Sequence, residues 1–399
     1  MRVDVAVVGG GPAGSAAATI LARAGRSVLL IDKATFPREK CCGDGLTTLA
    51  LRLCEQLGLK PDQISGWQPV DGAVMHSPSG WATTFPLPTG SGQFAAVVPR
   101  AELDAALLDL ADTAGADVCQ DSALTEIQTD GGSATLAVDG IGEVTAGAVV
   151  AADGMWSPTR RALGLSDDGY RGEWHAFRQY VSDVGPAAAD LHVWFQADLL
   201  PGYAWSFPLP DGRANVGFGV LRGGRIPIGE TGAIWSGLLE RPEIREVLGA
   251  GAVPVGRHTA WPIPARISSA VLDHGPVLFA GDAAGATDSL TGEGIGQALL
   301  TGTLAAKAIL AGGPPDSIGS RYRQVVRRDL VADHRMSMVL QRLMSNAMTA
   351  NGVVRLAGAT AWTRRNFARW LFEDYPRALL ATPRRWRRGA LSQPGTYRP

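Results

Sequence analysis

The sequence has 399 residues, with 37 Lys and Arg against 38 Asp and Glu and a formal net charge of −1. Its 46% apolar content is ordinary for a folded globular protein and excludes a disordered or collagen-like chain. No apolar run approaches the ~18 residues of a membrane span, so no transmembrane helix is expected.

Val3, Val5, Val7 and Val8 predict a short buried parallel strand. Gly9, Gly11 and Gly14 follow with G-x-G-x-x-G spacing, enclosing Pro12 and Ala13. Gly9 permits a tight turn, Gly11 lets the backbone approach a pyrophosphate, and Gly14 lets the next helix pack on the strand. The N-terminus of that helix offers free N–H groups and a positive dipole end to phosphate. Residues 27–31 form a second strand ending in Asp32, followed by Lys33. An acid at that point accepts hydrogen bonds from ribose hydroxyls. Strand, glycine motif, helix, strand and acid in this order predict dinucleotide binding. Asp4 and the glycine turn exclude a signal peptide from this reading.

Phe36, Pro37 and Arg38 read as extended, and Cys42, Gly43, Asp44 and Gly45 as a sharp loop. Residues 46–57 read as a short amphipathic helix, residues 70–98 as strands leaving the first domain, and residues 100–114 as a helix returning to it. Residues 117–150 read as a β-meander that ends in a hydrophobic strand and Asp153 and Gly154, with Ser157 and Arg160 just beyond. Tyr203, Trp205 and Phe207 recur at period two, on one strand face, and Asn215, Val216 and Gly217 lie on the next strand. Residues 277–280 are a buried strand stopping at Gly281 and Asp282. Gly292, Glu293 and Gly294 open a helix at Ile295 that runs to about Leu310, and its N-terminus presents N–H donors to whatever lies there.

Residues 336–371 read as mostly helical, with methionines at 336, 338, 344 and 348 suited to adaptable core. From residue 360 onwards nine arginines, including Arg364, Arg365, Arg369, Arg377 and Arg384, meet only Glu373 and Asp374, with Trp362, Phe367, Trp370 and Trp386 interleaved. The residues after about Gly389 are expected to be disordered. Cys41, Cys42, Cys54 and Cys119 show no metal-ligand spacing and fit a reducing compartment. The six histidines are scattered; His175 and His192 fall in the middle region and are candidates to face a cavity there.

The glycine motif, Asp153 and Gly154, and Gly281 and Asp282, at these separations, resemble glutathione-reductase-type flavoproteins of the para-hydroxybenzoate hydroxylase branch. With F-P-R-x-K-C-C-G-D-G-L at residues 36–46 and the Tyr203-x-Trp205-x-Phe207-Pro208 segment, the chain resembles the geranylgeranyl reductase family to about residue 330. Within it the chain is similar to the actinobacterial menaquinone isoprenyl-reductase type. Cys41 and Ser289 stand where relatives often carry proline.

The resemblance implies an α/β protein. A discontinuous Rossmann-type FAD-binding domain of the glutathione-reductase kind would span residues 1–70, 100–165 and 270–315. A mixed-sheet substrate domain would be inserted at 71–99 and 166–269. A C-terminal helical region would span 316–390, with a tail at 391–399. FAD would be held by Gly9, Gly11, Pro12, Ala13, Gly14, Asp32, Lys33, Cys42, Gly43, Arg100, Asp153, Gly154, Gly281, Asp282, Gly292, Gly294 and Ile295, with Asp282 on the ribitol. Tyr203, Trp205 and Phe207 would line an apolar substrate channel.

The implied reaction is reduction of a carbon–carbon double bond in a prenyl chain, of menaquinone or geranylgeranyl type, by hydride from reduced flavin. Such an alkene is poorly electrophilic, so a proton must arrive as charge develops. Cys42, Asp44 and Tyr203 are the candidates to supply or hold it. The alternative is a flavin-dependent monooxygenase or halogenase on an apolar or aromatic substrate. Halogenases of this branch carry W-x-W-x-I-P, where this chain has Tyr203 and Phe207. No second G-x-G-x-x-G appears, so NAD(P)H would dock transiently or an electron-carrier protein would deliver electrons. A lipid substrate and the Arg/Trp-rich C-terminal region point to an anionic membrane surface rather than nucleic acid, and to a cytoplasmic protein peripheral on the inner face of the cell membrane.

Overall fold

The computed structural model describes residues 1–372, 378 and 394–398. Strand β1 (Arg2–Val8) buries Val3, Val5, Val7 and Val8. It ends at Gly9, whose φ of +105° is open to glycine and strained for other residues. Helix α1 (Pro12–Arg23) begins on a proline, which lacks the N–H that a first turn leaves unpaired anyway. A Cβ on Gly14 would fall 1.8 Å from the Gly9 carbonyl oxygen, so helix and turn meet backbone to backbone. Strand β2 (Val28–Ile31) is wholly buried and pairs in parallel with β1, Val8 opposite Ile31.

Helix α2 (Arg100–Thr113) packs on α1. Strand β3 (Gly142–Ala151) flanks β1 on its other side, Val8 opposite Ala151. Val277–Phe279 and Asp117–Cys119 extend the layer at either edge, both in parallel. The inner strands of these five are largely buried and rich in apolar residues, whereas Asp117–Cys119 at the edge is only partly buried. The hairpin Leu124–Thr129 and Ala134–Val138 adds to β3 antiparallel.

A second, seven-stranded sheet contains β4 (Trp174–Ser182), β5 (Tyr203–Leu209) and β6 (Arg213–Leu221). Its order is Val253–Ile263, β4, β6, β5, Leu191–Trp194, Gly72–His76, Ala82–Pro86. All neighbours are antiparallel except Leu191–Trp194 with Gly72–His76, so the sheet is mixed. Gly45–Thr47, Ala95–Val97 and Gln68–Pro69 form a small third sheet. The fold is α/β, with a Rossmann-type layer and a mixed sheet beside it.

Helix α3 (Ile295–Leu310) crosses α1 at small residues. Helices α4 (Ala332–Met344), α5 (Ala347–Gly358) and α6 (Ala361–Phe372) then pack in succession, and α5 and α6 lie against the edge strand Ala82–Pro86 of the second sheet. Among the described residues no helix is long and apolar enough to cross a membrane.

Three expectations are corrected. The helix expected from residue 46 begins at Thr48, because Leu46 is drawn into the strand Gly45–Thr47, which pairs with the distant Ala95–Val97. Residues 394–398, expected to be disordered, are docked. Thr396 bridges Gln93 through both backbone groups at 2.7 and 2.9 Å, and Tyr397 donates its N–H to Glu55 and sets its ring edge-on to Trp67 at 5.5 Å. The methionines expected as core divide, with Met344 buried and Met348 83% exposed. Arg377, Arg384, Arg385, Trp386, Arg387 and Arg388 lie outside the described residues.

The α1–α3 crossing depends on Gly302, where a Cβ would fall 2.0 Å from the Ala13 carbonyl oxygen. Gly302→Ala is expected to destabilise the fold by about 1–3 kcal/mol through overpacking. A thermal melt checks this, and an unchanged Tm would show that the crossing has slack.

Candidate active site

One cavity of about 1110 Å³ begins at the C-terminal ends of β1, β2 and β3, where ligands of open α/β sheets bind. Two helices point their N-termini into it. The N-cap residues Gly11 of α1 and Gly294 of α3 provide no side-chain cap, so the first N–H groups of both helices remain available to a ligand.

The polar end is built around the glycine turn. Asp32 accepts hydrogen bonds from the N–H of Gly10 at 2.7 Å and of Ala34 at 2.8 Å, so the acid that faces the cavity also holds the turn. A Cβ on Gly9 would fall 2.4 Å from the Ala152 carbonyl oxygen, which presses the turn against the end of β3. The Arg38 guanidinium lies against Gly11, 3.4 Å from where a Cβ would stand, and pairs with Asp104 at 3.4 Å. Asp153 takes the Thr159 N–H on one oxygen, while its other oxygen is buried without a partner. Burial pushes the Asp153 carboxyl above the usual range. Lys40 lies 3.7 Å from Asp282 and over the Trp261 ring, and burial lowers the affinity of its amine for a proton.

The middle is the Cys42 to Gly45 loop. Asp44 has a φ of +65°, a left-handed conformation that is costly for a residue with a Cβ, and it is held there by several partners. Its buried carboxylate accepts from the Tyr180 hydroxyl at 2.8 Å and the Asn215 amide at 2.7 Å. The same Asn215 amide donates to the Cys42 carbonyl, and the Trp205 indole donates to Asn215 Oδ1 at 3.1 Å. The Asp44 N–H donates to the Cys42 sulfur at 3.3 Å. The Arg100 guanidinium, locked to Asp104 by hydrogen bonds of 2.8 and 2.7 Å, also sits at Cys42. Burial nevertheless pushes the Cys42 thiol up. Rings close over the loop, since a Cβ on Gly43 would meet Phe207 at 3.3 Å and Trp205 at 3.5 Å.

Beyond these rings the cavity becomes an apolar arm. Met75, Phe85, Leu191, Val193 and Phe195 of the second sheet form one wall, and α4 to α6 form the other with residues such as Leu340, Met344, Val354 and Phe367.

Gly9, Gly11, Pro12, Ala13, Asp32, Lys33, Cys42, Gly43, Arg100, Asp153, Gly154, Gly281, Asp282, Gly292, Gly294 and Ile295 all line the cavity. Gly14 is behind it, in the helix–turn contact. Asp44, Tyr203, Trp205 and Phe207 share the same cavity, and the three rings follow one another at 6.0 and 6.1 Å. Tyr203 donates its hydroxyl proton to the Thr291 carbonyl. The two histidine candidates do not face the cavity. His175 alternates with the lining residues Trp174 and Ala176, so the strand pleat turns it away. His192 is buried between His76, at 3.0 Å, and the Ala187 carbonyl. Sequence reasoning gave no role to Arg38, Lys40, Asn215 or Tyr180. The first three stand within quoted motifs, whereas Tyr180 carries no local signal.

A glycine cradle, two uncapped helix N-termini and an acid at the end of β2 define a dinucleotide-binding oxidoreductase of the Rossmann-type flavoprotein class. A family profile described as "FAD binding domain" matches residues 2–311. The menaquinone reductase of Mycolicibacterium smegmatis is 34% identical over 340 residues, covering 79% of this chain and 78% of that protein. The digeranylgeranylglycerophospholipid reductase 2 of Methanothermobacter thermautotrophicus is 32% identical over 356 residues, covering 86% and 88%. A geranylgeranyl bacteriochlorophyll reductase-like protein from Thermoplasma acidophilum shares the fold, with a TM-score of 0.79 at 22% identity, covering 96% of this chain and 99% of that one. The chain belongs to the FAD-binding-domain family and, within it, to the geranylgeranyl reductases. FAD is its cofactor, and the residues present fit it. At Gly11 the missing side chain leaves space that only the Arg38 guanidinium approaches, where a phosphate can meet the backbone, and the first N–H groups of α1 and α3 face the same cavity.

Burial pushes Asp44 from 3.8 to about 6, against its hydrogen bonds to Asn215 and Tyr180. Between those values the folded protein holds a proton that the unfolded chain releases. The contribution is therefore full below 3.8 and is lost as pH rises through about 6. Wild-type protein is expected to lose Tm relative to Asp44→Asn across that window. Melts of both proteins against pH check this, and a constant difference would contradict the shift.

Proposed function

We propose that this enzyme saturates a carbon–carbon double bond in the prenyl chain of a lipid, of menaquinone or geranylgeranyl type. The observation that carries this reading is the apolar arm: among the described residues it presents no charged side chain from the Trp205 and Phe207 rings to α4–α6. A polar or ionic substrate would lose its hydration there without compensation, whereas an isoprenoid chain loses none. The relatives act on prenyl lipids by their names, menaquinone and digeranylgeranylglycerophospholipid.

Bound FAD supplies a two-electron, hydride-donating ring, which no side chain can provide. The glycine turn, Arg38 and the N-terminus of α1 would hold its phosphates, and the N-terminus of α3 would favour negative charge on its reduced ring. Asp32 would meet ribose hydroxyls and Asp282 the ribitol. Tyr203, Trp205 and Phe207 orient the alkene and exclude water. Cys42 holds the proton that the second alkene carbon needs. Burial keeps its thiol protonated at neutral pH, while the Arg100 guanidinium and the Asp44 N–H stabilise the sulfur once the proton leaves. Asp44, with Asn215 and Tyr180, positions that loop. Tyr203 is the weaker proton source, since its hydroxyl is committed to the Thr291 carbonyl. The electrons come from NAD(P)H docking transiently or from an electron-carrier protein. The protein is cytoplasmic and peripheral on the inner face of the cell membrane, where its Arg/Trp-rich C-terminal region meets anionic lipid.

The monooxygenase or halogenase alternative gains nothing from the cavity, whose apolar arm extends far past the reacting region. The test is anaerobic reduction of the bound flavin with dithionite, followed by a detergent-dispersed menaquinone or geranylgeranyl lipid. Reoxidation of the flavin with a two-hydrogen gain in lipid mass is expected. Oxygen entering an added substrate in air, with every prenyl lipid inert, would sink the reading.

Cys42→Ala is expected to slow this lipid-driven reoxidation, measured per bound FAD, by about 10²–10⁴-fold, the usual worth of a general acid. Wild-type rates in that variant would remove Cys42 from proton transfer.

A further inference from the structure

We propose that the outer face of α4–α6 docks on an anionic lipid bilayer, and that the apolar arm opens into that bilayer beside Leu343. The inner side of these helices lines the arm through Leu340, Met344, Val353, Val354 and Phe367. The same three helices expose Val339 and Leu343 at 50%, Met348 at 83%, Leu356 at 72% and Trp362 at 73%. Single exposed apolar residues are ordinary on any surface. Here five of the eleven large apolar side chains exposed in the described chain fall within residues 339–362. A sixth, Trp81, is 55% exposed on a hairpin tip held to α5 by the Ser79 N–H donating to Asn351 at 2.9 Å. A concentration of this kind marks an interaction surface.

Charge identifies the occupant. Residues 334–372 contain Arg335, Arg342, Arg355, Arg364, Arg365 and Arg369 and no acidic residue, in a chain whose net charge is −1. Arg335, Arg342 and Arg355 are exposed, and among the described residues none of the three is in an ion pair. A second copy of the chain, meeting this face with the same face, would set arginines against arginines. A bilayer of anionic lipid meets both features at once, taking apolar side chains and indoles into its interface and arginines at its headgroups. Exposed tryptophans at two places, Trp81 and Trp362, suit that depth.

Leu343 joins the surface to the site. It lines the arm and is half exposed, so the rim of the arm belongs to the apolar face. Val339, one helical turn before it, extends the rim outward. A prenyl chain passing at this point moves from acyl chains into the arm without crossing water. The position of the mouth rests on the prenyl-lipid reading above; the docking face does not.

The test uses the full-length, FAD-loaded protein and vesicles of phosphatidylcholine with or without phosphatidylglycerol. Co-sedimentation is expected only with the anionic vesicles and is expected to weaken with salt. A triple variant, Met348→Glu, Leu356→Glu and Trp362→Glu, changes exposed residues that do not line the arm. It is expected to lose vesicle binding by about tenfold or more, since both apolar contact and charge attraction fall. Its flavin content and its reoxidation by detergent-dispersed prenyl lipid should stay at wild-type levels, while reoxidation by the same lipid in vesicles should drop with binding. Wild-type protein that ignores anionic vesicles, or a variant that binds as well as wild type, overturns the proposal. So does a variant whose only change is a smaller sedimenting mass, which would assign the face to a second copy. If vesicle binding depends on these residues but no prenyl lipid is reduced, the docking face stands and the substrate reading fails.

Discussion

Contact between backbones, made where side chains are absent, is the constraint on which the remainder of this structure depends. A Cβ at Gly9, Gly14 or Gly302 would collide with a carbonyl oxygen at 2.4 Å or less. These three contacts bring the end of β3, the glycine turn, α1 and α3 into one compact knot. The knot sets the two uncapped helix N-termini on the same cavity, where their partial positive charges favour an anionic ligand.

A second joint connects this knot to the other sheet. Asp44 belongs to the loop after β2, yet its carboxylate is satisfied by Tyr180 of β4 and Asn215 of β6. Asn215 then reaches the Cys42 carbonyl and takes the Trp205 indole proton. In a buried, low-dielectric setting such bonds are strong when all are made and costly when one is lost. The network therefore fixes the relation between the cofactor cradle, the cysteine and the aromatic wall. It also explains how a non-glycine residue tolerates a left-handed backbone: the partners over-determine its position.

The helical layer α4–α6 is apolar on two sides for two reasons. Its inner side closes the arm of the cavity, and its outer side carries an exposed apolar and arginine-rich surface. Ser337 of α4 donates to Asp288, whose other oxygen holds the N–H groups of Leu290 and Thr291 just before α3. The layer is thus tied to the loop that leads to the second helix N-terminus, and surface and site are mechanically continuous.

Local signals made much of the cofactor end legible in the sequence. The G-x-G-x-x-G spacing, the β-branched strand before it and Asp32 after it encode their own geometry, because turn, strand and helix periodicities act over a few residues. The period-two array of Tyr203, Trp205 and Phe207 likewise fixed which residues share a face. An apolar channel beside these rings was expected, but its course past Phe207 was not legible, nor was the pairing of Asp44 with Asn215, 171 residues away, nor the docking of residues 394–398 against Gln93, Glu55 and Trp67. The histidine candidates failed for the same cause, since the pleat of β4 and the His76 ring, not their place in the chain, decided where they turned. The sequence by itself determined the class of fold and the kind of cofactor, through short-range stereochemistry. Only the tertiary structure decided which polar groups are buried, which partners satisfy them and where the apolar arm runs, because burial and long-range hydrogen bonding are properties of the packed chain.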